Sequence, residues 1–173
     1  KGAEKLFGKN KGVSVKKIAD IFQRLYLGKF SRNEKLLIPK SFLKNLKRAG
    51  LKLGIVTGRN RDEAGTALKR FGIANLIDTM ITVDETPKGL KKPHPYGLLQ
   101  VAKKLGENLR TLYVGDIVDD ILAARAAKKK IKIMSCAYLA AASSRNEMKK
   151  DLKRAGADYV CSGVHKLARI IAV

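Results

Sequence analysis

Apolar residues along this chain fall into two alternating patterns, stripes at helical spacing and short continuous runs. Val15, Ile18, Ala19, Phe22, Leu25 and Tyr26 follow helical spacing behind a candidate cap at Ser14, and Gly28 supplies a stop. Phe42, Leu43, Leu46 and Ala49 predict a second helix ended by Gly50. Leu51 to Val56 is a nearly continuous apolar run that predicts a strand, closing in Thr57-Gly58-Arg59. Asn60, with Glu63 three residues on, has the form of a capping box. Behind it Ala64, Ala67, Leu68 and Phe71 line one face of a helix ending at Gly72.

The alternation continues. Met80 to Val83 predicts a strand, followed by a Pro, Lys and Gly loop through Pro93. Pro95 suits a first helical position, with Leu98, Val101, Ala102 and Leu105 as the buried stripe before Gly106. Thr111 to Val114 predicts a strand ending in Gly115-Asp116, and a helix follows over Val118 to Ala127. The Lys128 to Lys130 run sits at that helix's C-terminal end, where cations oppose the helix dipole. Ile131 to Ala137 predicts a strand, Ser144 with Glu147 caps a helix, and Asp158 to Cys161 is a last short strand before a C-terminal helix. Strands alternating with helices through short loops imply an α/β fold, a doubly wound parallel sheet covered on both faces. Residues 1–37 contain no strand pattern and read as a separate helical piece before a core over residues 38–173.

Composition narrows the class. At 173 residues one domain with a small appendage is expected. No apolar stretch reaches the ~18 residues of a membrane span, and no apolar N-terminal segment with a small-residue cleavage site is visible. Cys136 and Cys161 lie in apolar surroundings and read as free buried thiols, which with the foregoing points to a cytoplasmic compartment. The 37 Lys and Arg against 15 Asp and Glu give a net charge of +22, a field that attracts polyanions. The basic residues are scattered, however, and the five Tyr and five Phe are not interleaved with Arg as on a base-stacking surface. Nucleic acid stays open as a partner on charge alone; the pattern by itself does not favour it. Oligomeric state is not legible.

In a doubly wound sheet, chemistry gathers beyond the C-terminal ends of the strands. Three such ends carry polar residues. Thr57, Gly58 and Arg59 offer a hydroxyl and backbone amides ahead of a helix N-terminus, the makings of a phosphate cradle. Lys91-Lys92-Pro93-His94-Pro95 places an ammonium on a loop stiffened by two prolines. Gly115-Asp116-Ile117-Val118-Asp119-Asp120 clusters three carboxylates, hard oxygen donors that suit Mg²⁺. Each has a plain structural reading too: a turn, a surface lysine, favourable charges at a helix N-terminus. Their joint occurrence at successive strand ends is the stronger signal. His94 reads as a helix cap and His165 as a surface residue, and no CxxC pair, Gly-x-Gly-x-x-Gly or P-loop is present.

With those residues in that order, the chain resembles the haloacid dehalogenase-like hydrolases, mostly Mg²⁺-dependent phosphatases, and within them the phosphoglycolate-phosphatase-like branch. Thr57 resembles the family's second motif, which binds the transferring phosphoryl group, with Gly58 and Arg59 beside it. Lys92 resembles the third, whose ammonium neutralises charge on nucleophile and phosphoryl. Asp116 and Asp120 resemble the fourth, the metal-binding acids. The run Ala123-Ala124-Arg125-Ala126-Ala127 and the late Gly156-Ala157-Asp158-Tyr159-Val160 are similar to that branch as well. The resemblance implies a phosphatase of a small phosphorylated metabolite, working through an aspartyl-phosphate, and a helical cap that residues 1–37 would partly represent. The alternative is a non-catalytic basic module of the same fold that binds a polyanion.

One family element has no counterpart. The first motif, an apolar strand ending in Asp-x-Asp that supplies nucleophile and acid/base, is absent: no Asp-x-Asp occurs in the chain. The central strand expected between Leu51–Val56 and Thr111–Val114 is then missing with it. Deleting it would leave unpaired backbone groups on both neighbours, at a cost of several kcal/mol. The expectation is therefore a piece of a longer protein, inactive by itself. Ile117, where the branch has Ser or Thr, is a lesser departure.

Overall fold

Short apolar runs become strands here and the stripes between them become helices. The structure is a computed structural model that describes Lys17, Gly28 and residues 33–106, 108–140 and 145–171. The chain divides into two compact units, Lys1–Lys35 and Leu36–Val173, and the elements below belong to the second. The helix expected over Val15 to Tyr26 lies outside the described residues but for Lys17, as does the expected cap at Ser144.

In chain order the elements are α1 (Lys40–Arg48), β1 (Gly54–Val56), α2 (Arg61–Arg70), β2 (Thr79–Ile81), α3 (Tyr96–Leu105), β3 (Thr111–Gly115), α4 (Val118–Ala127), β4 (Ile133–Tyr138), α5 (Arg145–Arg154), β5 (Tyr159–Cys161) and α6 (Val164–Ile171). The capping box before α2 forms as the sequence predicts. The Asn60 side chain accepts the Glu63 N–H at 2.8 Å, and the Glu63 carboxylate reaches back to the Asn60 amide.

All pairing is parallel, and it falls into two sheets. β1 pairs with β2, Ile55 opposite Met80; β3, β4 and β5 form the other, with Val114 opposite Cys136 and Cys136 opposite Tyr159. Each sheet thus ends in a strand with one unpaired edge among the described residues, β1 on one side and β3 on the other. This is where the sequence expects a missing central strand.

Helices hold the two sheets together. α3 packs on β1 and β2 and against α4, which covers β3 and β4. Leu98, Ala123, Ala124, Ala127 and Ile133 form that core, with Val56 of β1 and Tyr113 of β3 packed against it. Ile121, Ala137, Leu139 and Leu152 extend it beneath α5, while Cys136, Cys161 and Leu167 pack with Phe42 and Leu112 on the other face, under α1 and α6. Ile121, Leu152 and Leu167 are fully buried, each stabilising by about 1.5–3 kcal/mol. Glycine lets α3 approach closely: a Cβ on Gly97 would lie 2.6 Å from Val56, and one on Gly54 would strike Val101.

β1, β2 and β4 are shorter than the apolar runs that announced them. Asp78 accepts the Leu53 N–H at 2.6 Å and the Lys47 ammonium, and its own N–H donates to Leu53 O, so Leu51 to Leu53 close a side-chain clasp instead of a ladder. At the far end of β2, Thr82 and Glu85 close a capping turn that stops the strand at Ile81. Before β4, the Lys130 and Ile131 amides both turn back to Ala127 O.

Candidate active site

Parallel pairing brings the polar strand ends to one side of the molecule. Gly97, in the first turn of α3, packs on Val56 at the end of β1, and Lys92, just ahead of that helix, reaches Asp120 beyond the end of β3. Thr57, Lys92 and Asp116 therefore share the edge formed by the C-terminal ends of β1 and β3.

Lys92, Asp120 and Tyr113 form one bonded cluster. The Lys92 ammonium donates to Asp120 Oδ1 at 2.5 Å and approaches the Tyr113 hydroxyl at 3.4 Å. The same Oδ1 accepts the Tyr113 hydroxyl at 2.9 Å. Oδ2 accepts the Asp116 and Ile117 amides at 3.2 and 3.4 Å, tying the first turn of α4 to the strand end. The Asp120 side chain is 5% exposed and that of Lys92 21%. Burial, then the Asp120 charge, pushes the Tyr113 hydroxyl well above its ordinary range, so it stays a proton donor to the carboxylate.

Asp116 differs. It is exposed, and no described residue hydrogen-bonds its carboxylate. At the other strand end, the Thr57 N–H donates to Ile81 O at 3.0 Å, and its Oγ1 accepts the Arg59 N–H at 3.1 Å. The threonine is thereby fixed by a local turn with its hydroxyl proton still available. Gly58 is exposed, with open space around its Cα. The Arg59 carbonyl accepts the Val83 N–H at 3.0 Å.

The sequence assigned both Asp116 and Asp120 to a metal. Both Asp120 oxygens are spent on Lys92, Tyr113 and two amides, so its geometry is that of a residue orienting Lys92. Among the described residues no three His, Cys, Asp or Glu side chains stand where they could share a metal ion. The Asp116 carboxylate is a hard-oxygen donor that no described residue bonds, which fits an ion that takes few protein carboxylates and keeps its waters. Tyr113 escaped the sequence reading; its one signal was a hydroxyl between the apolar Leu112 and Val114. His94 Nδ1 accepts the Tyr96 N–H at 3.1 Å, the cap its position suggested, and His165 is exposed.

Residues 4–128 match the family of haloacid dehalogenase-like hydrolases. The chain belongs to that family. Among curated relatives, it is 34% identical over 129 residues to an imidazoleglycerol-phosphate dehydratase of Phytophthora nicotianae, covering 70% of this chain and 28% of that protein. It is 35% identical over 94 residues to a phosphoglycolate phosphatase of Nitrosococcus oceani, covering 54% of this chain and 41% of the relative. The chain thus spans less than half the length of either. In fold it resembles a haloacid dehalogenase-like protein of unknown function from Agrobacterium tumefaciens, with a TM-score of 0.73 over 92% of this chain and 70% of that one at 22% identity. No described helix is long and apolar enough to cross a membrane.

Proposed function

We propose that this chain supplies the phosphoryl-binding and charge-neutralising part of a phosphatase acting on a small phosphorylated metabolite. The observation that carries the reading is the Lys92 ammonium, held 2.5 Å from Asp120 beside the exposed Asp116 and on the same edge as Thr57. The Thr57 hydroxyl and the Gly58 amide bind phosphoryl oxygens, with Arg59 beside them. Lys92, oriented by Asp120, offsets their charge. Asp116 would hold Mg²⁺, which when bound supplies further neutralisation of phosphoryl charge.

The attacking carboxylate comes from an Asp-x-Asp strand, a motif this sequence does not contain, paired between the open edges of β1 and β3. Its oxygen displaces the alcohol from phosphorus, and water then hydrolyses the aspartyl-phosphate. The chain is a fragment in this reading, without activity by itself. The phosphoglycolate phosphatase of Nitrosococcus oceani supports the reaction class.

The test is hydrolysis of 2-phosphoglycolate and p-nitrophenyl phosphate in Mg²⁺ buffer. The chain alone is expected to be inert. Joining an N-terminal segment that ends in an apolar strand with Asp-x-Asp is expected to restore turnover that Lys92→Met removes. Turnover by the chain alone, or in the joined protein at the same rate with Met at position 92, overturns the proposal.

A further inference from the structure

The opposite end of the fold carries a second feature, independent of the phosphatase reading. A cavity of about 780 Å³ lies among the C-terminal ends of α3 and α4 and the approach to β4. Its floor is apolar, with Leu99, Ile131 and Ile133, and its rim is basic, with Lys103, Lys130 and Lys132. All three lysines are exposed, and none has an acidic partner among the described residues.

Helix ends call for some of this charge, since a cation in the last turn offsets the dipole. That need is met by other residues. Lys52 donates to Leu105 O at 2.5 Å at the end of α3, and Lys128, at the end of α4, pairs with Asp158 at 2.5 Å. The three rim lysines are a surplus over both.

The surplus continues around the sheet. Asp158 leads directly into Tyr159, the first residue of β5, which with Lys166 and Arg169 lines a second hollow of about 670 Å³ against α6. Tyr159 is 37% exposed. Besides Lys128, five basic side chains and an accessible aromatic ring thus border the two hollows, and Lys128 of the first pairs with Asp158, the residue before Tyr159.

We infer that this basic rim is a docking surface for single-stranded nucleic acid, with phosphates along Lys103, Lys130 and Lys132 and a base stacked on Tyr159. A small-molecule site fixes its ligand with converging polar groups, mostly enclosed. Here the charges stand apart on an open rim, the arrangement that tracks a repeating phosphate chain, and stacking adds affinity without sequence preference. The net charge of +22 steers such a polyanion toward the molecule.

The test is anisotropy of a fluorescein-labelled 20-nucleotide uridine RNA titrated with the full chain between 50 and 200 mM salt. The triple variant K103A/K130A/K132A is expected to flatten the slope of log affinity against log salt by about 2, at ~0.7 per phosphate contact. K44A/K149A/K150A removes the same charge from α1 and α5 and is expected to leave the slope in place. Tyr159→Ala is expected to lower affinity about tenfold. On the unaltered chain, crosslinking with 4-thiouridine RNA should label peptides around residues 103–110, 128–134 and 159. Equal slopes for the two triple variants, no binding at 50 mM salt, labelling confined to α1 and α5, or binding to phosphatidylserine vesicles with none to RNA would each overturn the inference.

Discussion

Gly115 lies so close to Asp120 that a methyl group on its Cα would come within 2.6 Å of the Asp120 carboxyl carbon and Oδ2. The last residue of β3 and the third residue of α4 are therefore chosen together, one by the absence of a side chain and the other by filling that space. Gly115→Ala is expected to cost about 1–3 kcal/mol as overpacking. Gly58→Ala, into open space, should stay within about 0.5 kcal/mol. Urea unfolding of the two variants checks the contrast.

Lys92 and Asp120 should behave as one unit in stability as well as in the proposed chemistry. Removing one partner of a pair this enclosed strands the other, at roughly 3 kcal/mol. Lys92→Met and Asp120→Asn are each expected to destabilise. The double variant should lose at least ~1 kcal/mol less than the sum of the two, which a double-mutant cycle reads directly. Strict additivity would mean that the pair is not coupled.

Much of this arrangement is legible in the chain. Asn60 and Glu63 announce their capping box by spacing alone, and the helix expected over about Val118 to Ala127 emerges as α4. What escapes is contact across sequence. Leu51 and Leu53 read as strand because they are apolar, yet Asp78, 25 positions beyond Leu53, takes its amide. Asp120 reads as a metal ligand or a dipole partner from its place in α4. Only the folded chain shows Lys92 and Tyr113 arriving on the same oxygen. Local signals fix caps and periods, while a residue's role depends on partners that periodicity does not name.

Three carboxylates carry a pH signature. The Lys47 ammonium, then the Leu53 amide, hold Asp78 below its ordinary range. At Asp158 burial pushes upward, but Lys128 and Ser135 outweigh it; at Glu85 burial is likewise outweighed, by Thr82 and Arg61. A folded value below the unfolded one means stability fully present above about pH 4 and lost as pH falls through the folded value. Unfolding free energy is expected to be level from pH 7 to 5 and to drop below about pH 4. Asp158→Asn should be less stable at pH 6 and lose less between pH 6 and pH 3, as denaturant titrations at each pH would show.

Cys136 and Cys161 lie with their sulfurs 3.2 Å apart, both buried. Burial, and then the neighbouring thiol, pushes Cys136 up to about 12, so almost no thiolate is present at pH 8. Iodoacetamide is expected to leave both unmodified in the folded chain and to alkylate both in 6 M guanidinium, counted by intact mass. Rapid labelling of the folded chain would contradict the packing described.

The discontinuity between β1 and β3 makes the molecule a caliper. One jaw is β1, β2 and α3, carrying Thr57 at its tip; the other is β3 to β5 with α4, carrying Asp116. Lys92, at the head of the first jaw, reaches across to Asp120 on the second. The separation of Thr57 from Asp116 is then written into neither jaw. A strand seated between them would pair with both edges, and the ~4.8 Å spacing of each ladder would set the distance between the proposed phosphoryl-binding and metal-binding groups.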